Sequence, residues 1–362
     1  MSHYEERLER DLNQLRERIS TMAGLVEDGI KNAMHALQTG NGKLASATVI
    51  ADHPINRTMR EIDQLCHNFI AVHLPTAGHL RLLSAIIRVN IQLERIGDYA
   101  VTISRESLQQ ASPPEGQMAI ELERVANETQ LMLRQAIEAF NELNADKARA
   151  TMVMEEQMEN NLDIVYAELM ANDDRETVKH VLAVFAVFTQ LKRVADQAKN
   201  ICEETVFAAT GDTKAPKVYN ILFLDEDNSC LSQMAAAIAR KNFPGSGVYT
   251  SAGRHPATAL DTAMVEFMDQ HGVSLEKASP AGIDLTPLEL TTLHFVVSLQ
   301  GPVDAYLKTI PFHTTPLEWD LGPAPASTDS EADTRQRLEE IYRDTAVQVR
   351  DLMQALRGKD AP

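Results

Sequence analysis

The chain has 362 residues, enough for two or three domains. It carries 34 Lys and Arg against 52 Asp and Glu, a formal charge of −18. It therefore lacks the basic footprint that nucleic-acid phosphates require, and it disfavours an anionic membrane surface. A composition 44% hydrophobic and 24% charged is that of a folded globular protein. Three cysteines, Cys66, Cys202 and Cys230, are too few for a disulfide framework and fit a reducing compartment. The first residues are charged at once and offer no apolar signal-peptide core. The longest stretch free of Asp, Glu, Lys and Arg, Gln64 to Leu80, holds three histidines, Pro75 and Gly78. It cannot span a bilayer as an apolar helix. The expectation is a cytoplasmic protein with no membrane insertion and no nucleic-acid partner.

Leu8, Leu12, Leu15, Ile19, Met22, Val26, Ile30, Ala33 and Leu37 recur every three or four residues and predict one apolar face of a long helix. Gly40-Asn-Gly42 ends it. A second helix starts near Ala45 and breaks at Pro75 and Gly78. A third runs from about Leu80 to Ser107. After Pro113-Pro114-Glu-Gly116 the scheme recurs. Gln92-Leu-Glu-Arg-Ile-Gly-Asp-Tyr-Ala-Val-Thr-Ile103 corresponds to Gln190-Leu-Lys-Arg-Val-Ala-Asp-Gln-Ala-Lys-Asn-Ile201, and Asp52-His-Pro-Ile-Asn56 to Glu155-Glu-Gln-Met-Glu159. Two copies of a three-helix unit, about 5–110 and 117–207, predict an all-α six-helix bundle over 1–207. Residues 208–217, small, polar and breaker-rich, read as a linker.

Glu94-Arg-Ile-Gly-Asp98 within this tandem arrangement resembles the signature of the PhoU family of phosphate-signalling regulators, over about residues 5–205. The resemblance implies a homodimeric cytoplasmic bundle. It also implies an adaptor that couples the ATPase subunit of the phosphate ABC transporter to a sensor histidine kinase. Family members bind divalent metal or iron through Glu-x-x-x-Asp pairs, which points to Glu94 and Asp98. The residues themselves leave two readings open. Glu94 and Asp98 are i and i+4 on one helical face, and Asp52 can approach from the neighbouring helix. Clustered carboxylates need a hard cation, or basic partners such as Arg81 or Arg88, to offset their repulsion. In the second copy Lys192 replaces the Glu. That leaves Asp196 with Glu155, Glu159 and Glu203, a set that a Lys in the coordination shell would oppose. His53, His67, His73 and His79 read as packed or solvated.

From 218 to 362 the pattern changes to alternating strands and helices. Val218–Leu224 is an apolar strand, followed by the loop Asp225-Glu-Asp-Asn-Ser-Cys-Leu231 and a helix from Ser232. Strand–loop–helix is the setting in which backbone N–H groups and a helix N-terminus hold an anion. Gly247–Gly253, a helix at about 257–271, the strand Phe295–Ser298 and a helix at about 331–356 complete a three-layer α/β domain with a parallel sheet. Leu222-Phe-Leu-Asp-Glu-Asp-Asn-Ser-Cys-Leu-Ser-Gln-Met-Ala235, Ser251-Ala-Gly253 and Trp319-Asp-Leu321 resemble low-molecular-weight protein tyrosine phosphatases. They lie closest to the thiol-dependent arsenate reductases of that group.

The chemistry the resemblance implies is missing. Asp225 stands where the family has its nucleophilic Cys, and Leu231 where it has its phosphate-clamping Arg. Gly322-Pro-Ala-Pro325 offers no general acid. The expectation is a pseudophosphatase whose degenerate anion loop comprises Asp225, Glu226, Asp227, Asn228, Ser229, Cys230, Leu231 and Ser232. Each acidic side chain at about 4 Å costs a bound anion roughly 1 kcal/mol in water and about 4 at an effective dielectric near 20, so the loop is read as rejecting phosphate. The triplet 225–227 reads as a solvated tip, with a cation site as the alternative. A positive φ is expected at Asp227, and Cys230 reads as a packed thiol with a raised pKa. The competing enzymatic reading uses Asp225 as an acyl-phosphate nucleophile or Cys230 as a redox thiol. A third is a metal-binding bundle with an ancillary domain.

Overall fold

The computed structural model describes residues 3–110, 112–154, 177–214, 216–275, 278–311, 313–326 and 328–358. The chain divides into two compact units, Met1–Lys214 and Ala215–Pro362.

The first unit is helical. It comprises α1 (His3–Thr39), α2 (Gly42–His73), α3 (Ala77–Gln109), α4 (Gly116–Glu142), α5 (described over 145–154) and α6 (Thr177–Thr210). The predicted stripe of α1 is the face that packs: from Leu12 to Leu37 its residues are at most 5% exposed. Asn41 starts α2 by accepting a hydrogen bond from the Leu44 N–H at 3.1 Å, which satisfies one of the free donors at a helix N-terminus. Pro54 lies inside α2 without ending it, leaving the Ile50 carbonyl without its usual N–H partner. The helix stops at Leu74, whose φ of 46° is left-handed.

The two repeats are visible in the packing. α3 and α6 pack against each other; α1 and α2 also pack on α3, and α4 packs on α6. Leu93, Ile96, Ala100 and Ile103 of α3 are buried, and so are their counterparts Leu191, Val194, Ala198 and Ile201 of α6. Each buried Leu, Ile or Val contributes about 1.5–3 kcal/mol. α6 continues through Thr210, into the stretch read as linker, because Ala208 and Ala209 are strong helix formers. Gly211, at φ 85°, follows its end. Asp212 and Lys214 remain tied to the first unit through Arg149 at 3.3 Å and Glu203 at 2.7 Å.

The second unit is a four-stranded parallel sheet in the order β2-β1-β3-β4. In chain order it contains β1 (Tyr219–Asp225), α7 (Leu231–Asn242), β2 (Gly247–Gly253), α8 (Thr262–Gln270), the short α9 (Pro287–Thr291), β3 (Phe295–Ser298), β4 (Thr315–Glu318) and α10 (Glu331–Arg357). Strand side chains alternate between faces. Ile221, Phe223 and Val297 enter the core shared with α7, α8 and α10. Leu222, Leu224 and Val296 face a smaller core with Leu293, Val303 and Leu307. Both faces are thus covered, one by three helices and the other by α9 and the segments around it. Trp319 packs against Phe223, with ring centroids 5.7 Å apart. β1 is central, so the loops after β1 and β3 meet at the carboxyl ends of the strands, where open α/β sheets place their binding crevice.

Candidate functional site

The loop after β1 is closed by its own side chains. Asp225, 1% exposed, turns its carboxylate back into the loop. Its Oδ1 accepts from the Asn228 N–H at 2.6 Å and its Oδ2 from the Ser232 N–H at 2.8 Å, in the first turn of α7. Asp227 Oδ1 accepts from the N–H and hydroxyl of Ser229 at 2.9 and 2.8 Å. Gln300, just beyond β3, accepts from the Glu226 N–H at 3.3 Å. Four backbone donors that could face an anion are therefore taken by the chain itself.

Further contacts fix the loop. The positive φ falls on Asn228, at 53°, and not on Asp227. Asn suits that conformation because its amide bonds locally: Asn228 Nδ2 donates to Ser232 Oγ at 2.7 Å, and Oδ1 accepts from Gln233 Nε2 and the Ala281 N–H. The N–H groups of Arg254, His255, Ala257 and Asp261 donate to the carbonyls of Asp225, Glu226, Asp227 and Ser229. Gly253 lies so close that a Cβ would stand 2.6 Å from Asn228 N.

The acidic triplet is not a uniform tip. Glu226 and Asp227 are exposed, but Asp225 is buried. Burial pushes the Asp225 carboxyl above its usual range, and the loop hydrogen bonds partly oppose that. Burial likewise raises the Cys230 thiol, helped by Asp261, Asp225 and Asp227. At 1% exposure it is a packed thiol, unsuited to nucleophilic or redox work. Leu231 enters the core. Arg337 of α10 donates to the carbonyls of Leu321 and Pro323 and pairs with Glu340 at 3.4 Å. Neither Gln300 nor the need for Gly at 253 was read from sequence. Gln300 carried a usable signal, since it lies two residues beyond β3 at the strand ends.

In the first unit, α2 brings Asp52 to the carboxylates of α3. Gly97 allows this: a Cβ there would meet Ile55 at 3.2 Å and Asp52 Oδ1 at 3.3 Å. Burial raises the Asp52 carboxyl, with Asp98 adding to it; burial also raises Glu94, with Asp98 and Asp52 adding to it. Asp52 Oδ2 accepts from Asn56 at 2.5 Å, while the buried Oδ1 has no hydrogen-bond partner. Hard oxygen donors with one buried orphan suit a hard cation chemically. Among the described residues, however, no group of three or more His, Cys, Asp or Glu is arranged so that it could hold a metal ion. Arg88 pairs with Glu204 at 2.9 Å. In the second repeat Lys192 and Asp196 sit one turn apart on α6, and Glu203 pairs with Lys214. Glu155 and Glu159 lie outside the described residues. Of the histidines, His73 is buried against Asp11 at 2.9 Å, and His53 and His67 are exposed.

A doubled three-helix bundle followed by a parallel α/β unit with a strand–loop–helix turn defines a two-part chain. The PhoU domain family model matches twice, at residues 19–107 and 122–205. That for low molecular weight phosphotyrosine protein phosphatase matches residues 220–310. The phosphate-specific transport system accessory protein PhoU of Edwardsiella tarda is 30% identical over 203 residues, covering 56% of this chain and 84% of that protein. Its Serratia marcescens counterpart is 29% identical over 211 residues, covering 58% and 87%. The crystal structure of PhoU from Pseudomonas aeruginosa superposes with a TM-score of 0.54 at 29% identity, over 56% of this chain and 99% of that one. The chain belongs to the PhoU family, with a phosphatase-like domain at its C-terminal end. Among the described residues no helix is long and apolar enough to cross a membrane.

Proposed function

We propose that this chain is a non-enzymatic accessory regulator of phosphate uptake and phosphate-starvation signalling. It acts in the cytoplasm as a homodimer, an adaptor between the ATPase subunit of the phosphate ABC transporter and a sensor histidine kinase. The observation that carries the reading is the doubled helical repeat, shared with relatives named as accessory proteins of phosphate-specific transport. Co-purification from phosphate-replete and phosphate-starved cells tests it. Transporter and kinase components are expected with the tagged chain, and their absence under both conditions overturns the adaptor role.

The second unit is a pseudophosphatase in this reading. What supports it is the Asp225 carboxylate, which occupies the loop where a substrate anion would sit, together with a core-packed Leu231 and a buried Cys230. Turnover of p-nitrophenyl phosphate or arsenate, lost in Asp225→Ala or Cys230→Ser, would refute it. Metal binding at Asp52, Glu94 and Asp98 is a second reading, favoured by the partnerless Asp52 oxygen. Closure on divalent metal or iron would require the side chains to rotate. Metal analysis of wild type against Glu94→Ala/Asp98→Ala tests it; equal metal content removes the site.

A further inference from the structure

We infer that the solvent face of α10 is a surface on which two copies of this chain meet, antiparallel across a two-fold axis at Val347. The inference rests on the homodimer reading and names the surface that such a dimer uses. α10 turns Leu338, Ile341, Thr345, Val349 and Met353 into its own unit. Val347 lies on the opposite side at 39% exposure and, among the described residues, is the one large hydrophobic side chain that α10 leaves exposed. A solvated helix face ordinarily carries polar residues there. Beside it, Phe243, Tyr342 and Ala346 line a groove bordered by Arg343 and Arg350.

The charges around Val347 are self-complementary under such an axis. Arg343 lies four residues before it and Asp351 four after; Asp344 lies three before and Arg350 three after. Reversing one copy therefore sets Arg343 against the second copy's Asp351 and Asp344 against its Arg350, twice over by symmetry, with Val347 meeting itself. All five residues are exposed, and the 3.6-residue period places them on one half of the helix. Glu340 and Gln354, seven residues to either side, oppose no like charge. Among the described residues the four charges pair only with their immediate neighbours, Arg343 with Asp344 at 3.3 Å and Arg350 with Asp351 at 3.2 Å. Adjacent helical positions do not face each other, so these pairs leave their charges open to a partner. Exposed ion pairs are individually weak; their role here is to fix orientation and register, while apolar contact at Val347 and the groove supplies attraction. The chain as a whole, at −18, repels its copy, and contact is least opposed at a patch whose own charges balance.

Sedimentation equilibrium of the full chain tests this. Arg343→Asp/Arg350→Asp makes the patch wholly acidic, and Asp344→Arg/Asp351→Arg makes it wholly basic. Each is expected to raise the dimer dissociation constant about tenfold or more, and an equimolar mixture to restore wild-type association. A wild-type dimer that both variants leave intact overturns the α10 face while the homodimer reading stands, and so does a mixture that fails to reassociate. A wild type that stays monomeric throughout removes the homodimer reading and this inference together. Should the charge variants misfold, cysteine cross-linking decides. Cys66, Cys202 and Cys230 are buried, so a new exposed thiol reports alone. Under catalysed air oxidation Val347→Cys is expected to give a disulfide-linked dimer. Gln336→Cys is not, since an antiparallel pair holds its two copies about 33 Å apart along the helix axis. Equal cross-linking at both positions, or none at either, overturns the inference.

Discussion

At Gly253 a methyl group would meet main-chain atoms of Asp227 and Asn228 at 2.6 Å, and backbone held by four hydrogen bonds cannot give way as a flexible side chain can. Gly253→Ala is expected to cost roughly 1–3 kcal/mol, read as a lowered urea midpoint for the full chain. Asp52 and Glu94 give a prediction in pH. Their folded carboxyls are raised above the ordinary 3.8 and 4.5. The stability they contribute is therefore present below those values and lost as pH rises through the raised ones. Without divalent cation, Asp52→Asn should melt above wild type at pH 7, with the gap closing as pH falls toward 4. A gap that widens on acidification contradicts the repulsion. At this scale the sequence made the identities legible but not the directions. Asp225 is recognisably out of place as a nucleophile. That its side chain folds inward depends on Asn228 and Ser232 donors that no local pattern reveals.

Elements with a long apolar period were legible because burial repeats along them. α1, α3 and α6 show their stripes in the sequence and bury them in the fold. β4 was not legible. Thr315-Pro-Leu-Glu is four residues long and contains a proline, which is tolerated because β4 is an edge strand. The five-residue α9 is too short for periodicity; its signal is the Thr286–Glu289 capping box. The helix expected from about 257 begins only at Thr262, since 257–261 is engaged by the β1–α7 loop and Asp261 supplies the N-cap. Capping also limits α10, where Ser330 Oγ accepts from the Asp333 N–H at 3.2 Å. Ser330→Ala should cost about 1 kcal/mol, measurable as faster amide exchange in the first turn of α10.

For the whole molecule, the division into two units was readable from the change of period near residue 218 and from the repeat itself. Each buried apolar cluster is built within one unit. Truncation of a core residue should therefore be felt first in its own unit. Phe188 of α6 is fully buried in the core of the first unit. Phe188→Ala is expected to cost about 3–5 kcal/mol. Native-state hydrogen exchange should show α3 and α6 losing protection while the amides of β1 keep theirs. Equal loss in both units would contradict separate cores.

The central position of β1 also sets an order of events during synthesis. β1 pairs with β3, Ile221 beside Phe295, and β3 in turn with β4, Phe295 beside Thr315. Those contacts, and the cover that α10 gives to α7 and α8, exist only after most of the second unit has left the ribosome. Pairing at such sequence separation is slow, whereas neighbouring helices close quickly. The bundle emerges first and folds from local contacts. The newly made β1, with its run Ile221-Leu-Phe-Leu224, can pair with β2 soon after that strand emerges, but its other edge meanwhile waits unpaired. That waiting interval is the stage at which this chain is most exposed to aggregation and most dependent on chaperones.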